Sequence, residues 1–342
     1  MLIAELVSPH QFQLAERPIE DPGPGEVQVR VNAVGICGSD VHWYSDGGIG
    51  DTPAIFPAVL GHEPAGTVVK TGPGVTGWSR GDRAAFEPAI YCYNCEFCRA
   101  GRHNLCSNTR FLSNPGEQGF FREFVNLPAG NLLAIPSSLP LEVATMFEPL
   151  AVALHSMKFA AIEPGETVTV FGAGPIGLLT IACLKTARAG RIWAVEPVAH
   201  RRELARHMGA DVAIDPGEGD PVRQVLADTG QRGVDCALDC AAREHTTNQA
   251  LHAARVGGRV VLTGIHAGLC FPIELSPMRR KELAFFNVRR SNHQSEAAIE
   301  MLAENTGLFA PLITHTRPLA QIAEAFSIVE HYRDGVGKML VK

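Results

Sequence analysis

Thr167 to Phe171 form a β-branched and apolar run that leads straight into Gly172-Ala173-Gly174-Pro175-Ile176-Gly177, and a helical pattern then extends from Pro175 to Ala187. A strand, a G-x-G-x-x-G turn and a helix in that order leave the chain few folds. Gly172 permits the tight turn, Gly174 lets backbone approach a pyrophosphate, Gly177 lets helix and strand pack closely, and Pro175 and Ile176 open a helix whose free N–H groups suit an anion. Glu196 closes the next strand, Arg191 to Glu196, 19 positions after Gly177, where a carboxylate can accept the two hydroxyl protons of a ribose. The combination predicts a dinucleotide site.

The alternation continues. His200 to Met208 reads as a helix stopped by Gly209, Asp211 to Ile214, Val234 to Leu238 and Arg259 to Thr263 as strands, and Pro221 to Asp228 and Thr246 to Ala254 as helices. Such alternation predicts a doubly wound parallel sheet. Residues 2 to 135 differ: short stretches such as Glu26 to Ala33 and Gly66 to Lys70 lie between turn signals at Pro22 to Gly25, Gly72 to Gly74 and Gly81-Asp82, so this part reads as mostly β. After Glu296, two helical stretches (297–303 and 320–329) and two strand-like ones (313–315 and 338–341) fit the alternation poorly and suit a return to the first domain. The basic clusters Arg279 to Lys281 and Arg201-Arg202 read as solvated faces.

With 342 residues, two domains are the natural division. A net charge of −6 disfavours a nucleic-acid surface, and no apolar run is long enough to span a bilayer. Met1 to Val7 begin no secretory leader, so a reducing, cytoplasmic location is expected. There the nine cysteines read as ligands, catalytic groups and buried hydrophobes, not as disulfides. Cys92, Cys95, Cys98 and Cys106 have the spacing C-x2-C-x2-C-x7-C, and four thiolates close a zinc tetrahedron without leaving an open position, so this site is structural. Cys37, His62 and Glu63, each set among glycines, form a second, catalytic set; singly, each has an ordinary packing or hydrogen-bonding explanation. Cys183, Cys236, Cys240 and Cys270 are read as buried or incidental.

Gly61-His62-Glu63 followed by Gly66, Gly72 and Val75 resembles the signature of the zinc-containing alcohol dehydrogenases, within the medium-chain dehydrogenase/reductase superfamily. Cys37 to His42 running on to Gly48-Ile49-Gly50, together with Phe147-Glu148-Pro149-Leu150, is similar to the sorbitol and xylitol dehydrogenase branch, and the likeness extends over essentially the whole chain. It implies a GroES-like β-rich catalytic domain (1–150 and 289–342) into which a Rossmann dinucleotide domain (151–288) is inserted. It also implies a catalytic zinc near Cys37, His62, Glu63 and Glu148, with one glutamate binding directly or through water, and a homotetramer or homodimer.

The activity implied is oxidation of a secondary alcohol of a polyol or sugar, with hydride transfer to nicotinamide. Ser39 and His42 are spaced as a hydroxyl and imidazole proton relay. Gly172, Gly174, Pro175, Ile176, Gly177, Glu196, Arg201, Gly264 and Arg289 are the candidate cofactor contacts, and Ser39, Tyr44, Asn114, Glu148 and Arg289 the candidate substrate contacts. Glu196 favours NAD, since a carboxylate about 4 Å from a 2′-phosphate would oppose it by roughly 4 kcal/mol at an effective dielectric of 20. His200, Arg201 and Arg202 follow closely enough to meet that phosphate if they turn inward; an exposed helix start is the alternative. Three departures from the branch concern the substrate: Arg290 stands where a tyrosine is common, Asn114 where a threonine is common, and Trp43-Tyr44 reverse the usual aromatic order. Threonine or sugar-acid oxidation on the same scaffold is the second reading, and a silent nucleotide-binding protein the third.

Overall fold

The computed structural model describes residues 1–266 and 268–342. The chain divides into two compact units, Met1–Glu148 with Ser295–Lys342, and Pro149–Gln294. The chain passes between the units at 148/149 and 294/295, against the expected 150/151 and 288/289. Arg289 to Gln294 thus group with the second unit, following Val288, whose N–H donates to Leu262 O at 2.9 Å.

The first unit is built on a sheet in the order Leu132–Ala134, Arg83–Phe86, Glu63–Thr71, Glu26–Gly35, Lys338–Val341, Ile313–Arg317, with Phe124–Pro128 also paired to Glu26–Gly35. Val27, Val29 and Val34 on the central strand are buried against Leu6, Leu60, Phe86, Phe121 and Phe326 in one core. Burying a Val or Phe side chain contributes about 1.5–3 kcal/mol. The strand Lys338–Val341 lies antiparallel beside Gly35 and Val34, so the last part of the chain completes the sheet that holds the first part.

In the second unit all strand pairs of the six-stranded sheet are parallel. The order is Val212–Ile214, Ile192–Val195, Val168–Phe171, Val234–Asp239, Ala254–Leu262, Ala284–Asn287. The first strand of the unit sits in the middle and the chain reverses direction of winding beside it, which is the doubly wound arrangement, with its crevice at the carboxyl end of Val168–Phe171. Helix starts and stops follow local chemistry. Asp220 accepts from Val222 and Arg223 N–H (2.9 and 3.3 Å) with Pro221 next in line, and Gly209 ends its helix at φ +113°.

In the basic cluster Arg279 and Arg280 are exposed, whereas Lys281 departs from the expected solvated face. Its ammonium donates to the carbonyls of Leu251, His252 and Ala254 at 3.1, 2.7 and 2.7 Å, which caps the end of the Glu244–Ala253 helix.

Candidate active site and metal centres

Cys37 precedes the helix Gly38–Ser45, and His62-Glu63 follow Gly61, whose φ of +91° turns the chain into the Glu63–Thr71 strand. One ligand atom from each of Cys37, His62 and Glu63 lies within 4.8 Å of the others; His62 and Glu63 are buried and Cys37 half-buried. A thiolate, an imidazole and a carboxylate at that separation form a donor set that fits zinc and leaves a further position open.

Asp40, fully buried, organises this set. It accepts from Cys37 N–H at 3.1 Å, Gly61 N–H at 3.1 Å and Ser113 Oγ at 3.0 Å, and lies 3.3 Å from His62 Nδ1. Burial alone would raise its pKa. The His62 ring and the N–H donors outweigh that and hold it below the usual carboxylate range. Burial likewise opposes a charged His62, yet Asp40 and Cys37 push its pKa well above normal. With Nδ1 turned toward Asp40 in an ion-pair contact, Nε2 is the nitrogen left to bind a metal.

Glu63 has a buried partner. Its Oε2 forms an ion pair with the Lys338 ammonium, which also donates to Ile36 O at 3.0 Å. Burial disfavours the ammonium, but Glu63, Cys37 and Glu148 raise its pKa. The pair passes over Gly35, where a Cβ would overlap the Glu63 carboxylate and lie 2.8 Å from Lys338 Cε, so the sheet needs a glycine there. Glu148 opens the helix Phe147–Ala160 outside the compact triad. Burial, against the attraction of His62 and with the repulsion of Glu63 and Glu87, raises its pKa to about 7.

The expected relay residues face different partners: Ser39 Oγ lies 3.4 Å from His62 Nε2, and His42 Nδ1 lies 2.8 Å from Asp46 Oδ2. Tyr44 is corrected from a substrate contact to a core residue. It is 4% exposed, with ring centroids 5.6 Å from Phe12 and 5.0 Å from Phe326. Asn114 sits in the loop after the Arg110–Phe111 strand, where its N–H bonds to Phe111 O at 3.0 Å.

The four cysteines of the other set gather as well. Cys92 Sγ lies 3.4 Å from Cys106 Sγ and 4.0 Å from Cys98 Sγ, near the edge of a tetrahedron with metal–sulfur bonds of about 2.3 Å. Backbone N–H donors at Asn94 and Cys95 lower the Cys92 pKa to about 6, while burial raises that of Cys98 to about 12. Asn108 Nδ2, 3.7 Å from Cys92 Sγ, adds a donor that the cysteine spacing does not reveal.

In the second unit the glycine turn has the geometry its sequence demands. Gly172 has φ +89° and a Cβ there would lie 2.8 Å from Ala241 Cβ, while a Cβ on Gly177 would overlap Gly172 O. At Gly174, which caps the Pro175–Thr186 helix, the nearest outside atom to a Cβ is Arg201 Nη1 at 4.0 Å; the backbone is open to a ligand. Ile176 is half-buried in the first turn. Glu196 is 4% exposed and accepts from Ala173 N–H (2.7 Å) and Val198 N–H (3.0 Å), which fixes its carboxylate against the turn. Arg201 corrects the reading of this helix start as exposed: it is buried with its guanidinium beside Gly174. Arg202 is held by Asp215 at 2.8 Å and by the Glu196 and Pro197 carbonyls. Gly264 packs against Ala242, 2.6 Å from a would-be Cβ to Ala242 Cβ. Arg289 is exposed and Arg290 half-buried, with φ +53° at Arg290.

Residues 23–137 match the family model described as alcohol dehydrogenase GroES-like domain, and residues 175–304 the one described as zinc-binding dehydrogenase. Sorbitol dehydrogenase of Bacillus subtilis (strain 168) is 32% identical over 341 residues, covering 100% of this chain and 97% of that one. A probable D-xylulose reductase A of Aspergillus fumigatus is 35% identical, over 94% of this chain and 91% of its own. Among solved structures, a zinc-binding dehydrogenase of Sinorhizobium meliloti 1021 bound to NADP superposes with a TM-score of 0.91 at 32% identity, covering 99% and 98% of the two chains.

Proposed function

The chain belongs to the zinc-containing alcohol dehydrogenases, and from that premise we propose that it oxidises a secondary alcohol of a polyol or sugar, with NAD preferred to NADP. The observation that carries this is the convergence of Cys37, His62 and Glu63 within 4.8 Å, where a carboxylate accompanies the soft thiolate, in a chain whose relatives are named sorbitol dehydrogenase and D-xylulose reductase. Cys37 Sγ, His62 Nε2 and a Glu63 oxygen would hold the catalytic zinc, with Glu148 beside them directly or through water. When bound, the metal supplies Lewis acidity that lowers the pKa of an alcohol, and the nicotinamide supplies the hydride acceptor.

The protein's own groups do the rest. Asp40 fixes the tautomer and orientation of His62, and Lys338 holds one oxygen of Glu63 and balances the acidic ligands. Ser39 Oγ is placed to accept the alcohol's proton at the metal-binding edge of His62, and His42, tied to Asp46, to pass a proton to solvent. Asn114 presents an amide to substrate hydroxyls. Glu196 disfavours a 2′-phosphate, and Arg201 beside Gly174 supplies charge for the pyrophosphate. Gly264 and Arg289 complete the proposed cofactor contacts. Cys92, Cys95, Cys98 and Cys106 would hold a structural zinc. A homotetramer or homodimer in the cytoplasm accompanies this reading, and solution mass measurement checks the assembly.

A panel of C4 to C6 polyols, aldonates and threonine, assayed with each dinucleotide, tests the activity. Turnover of at least one polyol with a higher kcat/KM on NAD is expected. Turnover confined to threonine or an aldonate overturns the substrate class, and a preference for NADP overturns the role given to Glu196.

A further inference from the structure

Asp40 takes its fourth partner, Ser113, from a segment 73 residues away, and that segment is built with unusual care. Ser113 is 3% exposed and has φ +91°, a left-handed backbone that an L residue other than asparagine or glycine seldom adopts. The loop around it is closed on itself: Arg110 grips Glu117 with two bonds of 2.7 and 2.9 Å, Ser113 N–H reaches Glu117 O at 3.3 Å, and Glu117 N–H reaches Asn114 O at 2.9 Å. It is also stapled to the residues just before His62, through Gly119 N–H to Val59 O (2.7 Å), Phe120 N–H to Gly61 O (2.9 Å) and Phe121 N–H to Leu60 O (3.0 Å). Gly119 has to be glycine, because a Cβ would crowd the carbonyls of Leu60 and Gly61. Phe111, at the loop's start, lays its ring 5.5 Å from that of His62.

We propose that Ser113 is a positioning residue for substrate selection: its hydroxyl, bonded to Asp40, ties the loop that carries Asn114 to the ring of His62. Substrate contacts on the loop and the metal-binding imidazole then share one buried carboxylate, which takes the Ser113 hydroxyl at 3.0 Å and faces His62 Nδ1 at 3.3 Å. The backbone staples at 119–121 hold the far end of the loop and the pairing of Phe111 with Ala89 holds its start, whereas the Ser113 hydroxyl ties the part next to Asn114. This inference rests on reading the site as one for metal-dependent alcohol oxidation.

The test compares Ser113→Ala and Ser113→Gly with the unaltered holoenzyme. Both lose the hydroxyl, but glycine also relieves the left-handed backbone, so the pair separates the hydrogen bond from the strain. Both variants are expected to raise KM for the polyol about five- to tenfold with kcat within about twofold, the loss of one hydrogen bond of ordinary strength. In enzyme loaded with cobalt in place of zinc, the visible absorption bands shift in both, and a chelator extracts the metal faster. Dinucleotide affinity stays unchanged. Unaltered KM and cobalt bands in either variant overturn the proposal, as does a Ser113→Gly enzyme that matches the parent while Ser113→Ala does not. A parallel loss of dinucleotide affinity makes Ser113 merely structural and also overturns it. Should the parent oxidise no polyol, the function reading fails separately. The cobalt bands and extraction rates still decide Ser113.

Discussion

The two candidate metal centres are made in opposite ways. Cys92, Cys95, Cys98 and Cys106 come from one short stretch, carry identical soft donors, and are supported largely by nearby N–H groups. Cys37, His62 and Glu63 are unlike one another, two of them are buried, and around them Asp40, three residues after Cys37, is joined by Ser113 and Lys338 from distant parts of the chain. A closed set of thiolates needs little from the fold beyond a loop. An open set with mixed charge needs a scaffold that fixes each ligand and offsets buried charge, because isolated ions cost several kcal/mol to desolvate.

Removing one ligand from each centre gives the largest contrast. Cys37→Ser should reduce turnover to background and lower the metal content from about two ions per chain to about one, while thermal unfolding changes modestly. Cys98→Ser should lose the other ion and about 4 kcal/mol or more of stability, with the catalytic ion retained. Elemental analysis alongside unfolding and NADH formation checks both, and equal effects of the two substitutions would erase the distinction.

Breaking the buried charge pair comes next. Lys338→Met leaves Glu63 without its cation, and breaking such a pair costs about 3–5 kcal/mol. Chemical unfolding of metal-depleted protein should show that loss, and added zinc should recover more stability in the variant than in the parent. If zinc stabilises both equally, Lys338 does not share Glu63 with the metal site.

Asp40→Asn keeps the shape but weakens the hold on His62, and loss of a supporting partner of this kind typically lowers metal affinity or activity 10–100-fold. Competition with a chromophoric chelator measures it. No comparable single neighbour of the four cysteines should matter as much, and Asn108→Ala is the control.

The smallest effect is one of order within the thiolate set. In metal-depleted protein Cys92, with a pKa near 6, is a thiolate at pH 7, whereas Cys98, near 12, stays protonated. A lowered pKa places the charged form above the midpoint, so alkylation of Cys92 should rise as pH passes through about 6 and level off. Peptide mass mapping should find Cys92 labelled first and Cys98 last.

What the sequence reveals follows the same division. The glycine turn, the helix Pro221–Asp228 and the four-cysteine set are legible because each is written within a few turns of chain. Cys37, His62 and Glu63 are legible as ligands only through their glycine-flanked motifs. Lys338 and Ser113 escape, since no spacing reports a bond between residues 302 or 73 positions apart, and Asp40, although it sits three residues after Cys37, shows its role only once Gly61 and Ser113 are brought to it. Tyr44 misleads for the same reason: its neighbours Phe12 and Phe326 come from opposite ends of the sequence, and their packing takes the ring into the core. Arg201 and Lys281 look like surface charge in any local window, yet the glycine turn and a helix end draw them in.

The Lys338 pair also sets an order of events during synthesis. Every residue of the parallel-sheet unit has been made before Lys338 is added, so that unit can close while the ribosome is still working, as units generally do from the N-terminal side. Glu63, made far earlier, must wait through all of that with its future cation still untranslated. The Glu63–Lys338 pair, and the last strand of the sheet that carries Lys338, can therefore form only after the whole parallel-sheet unit has been made.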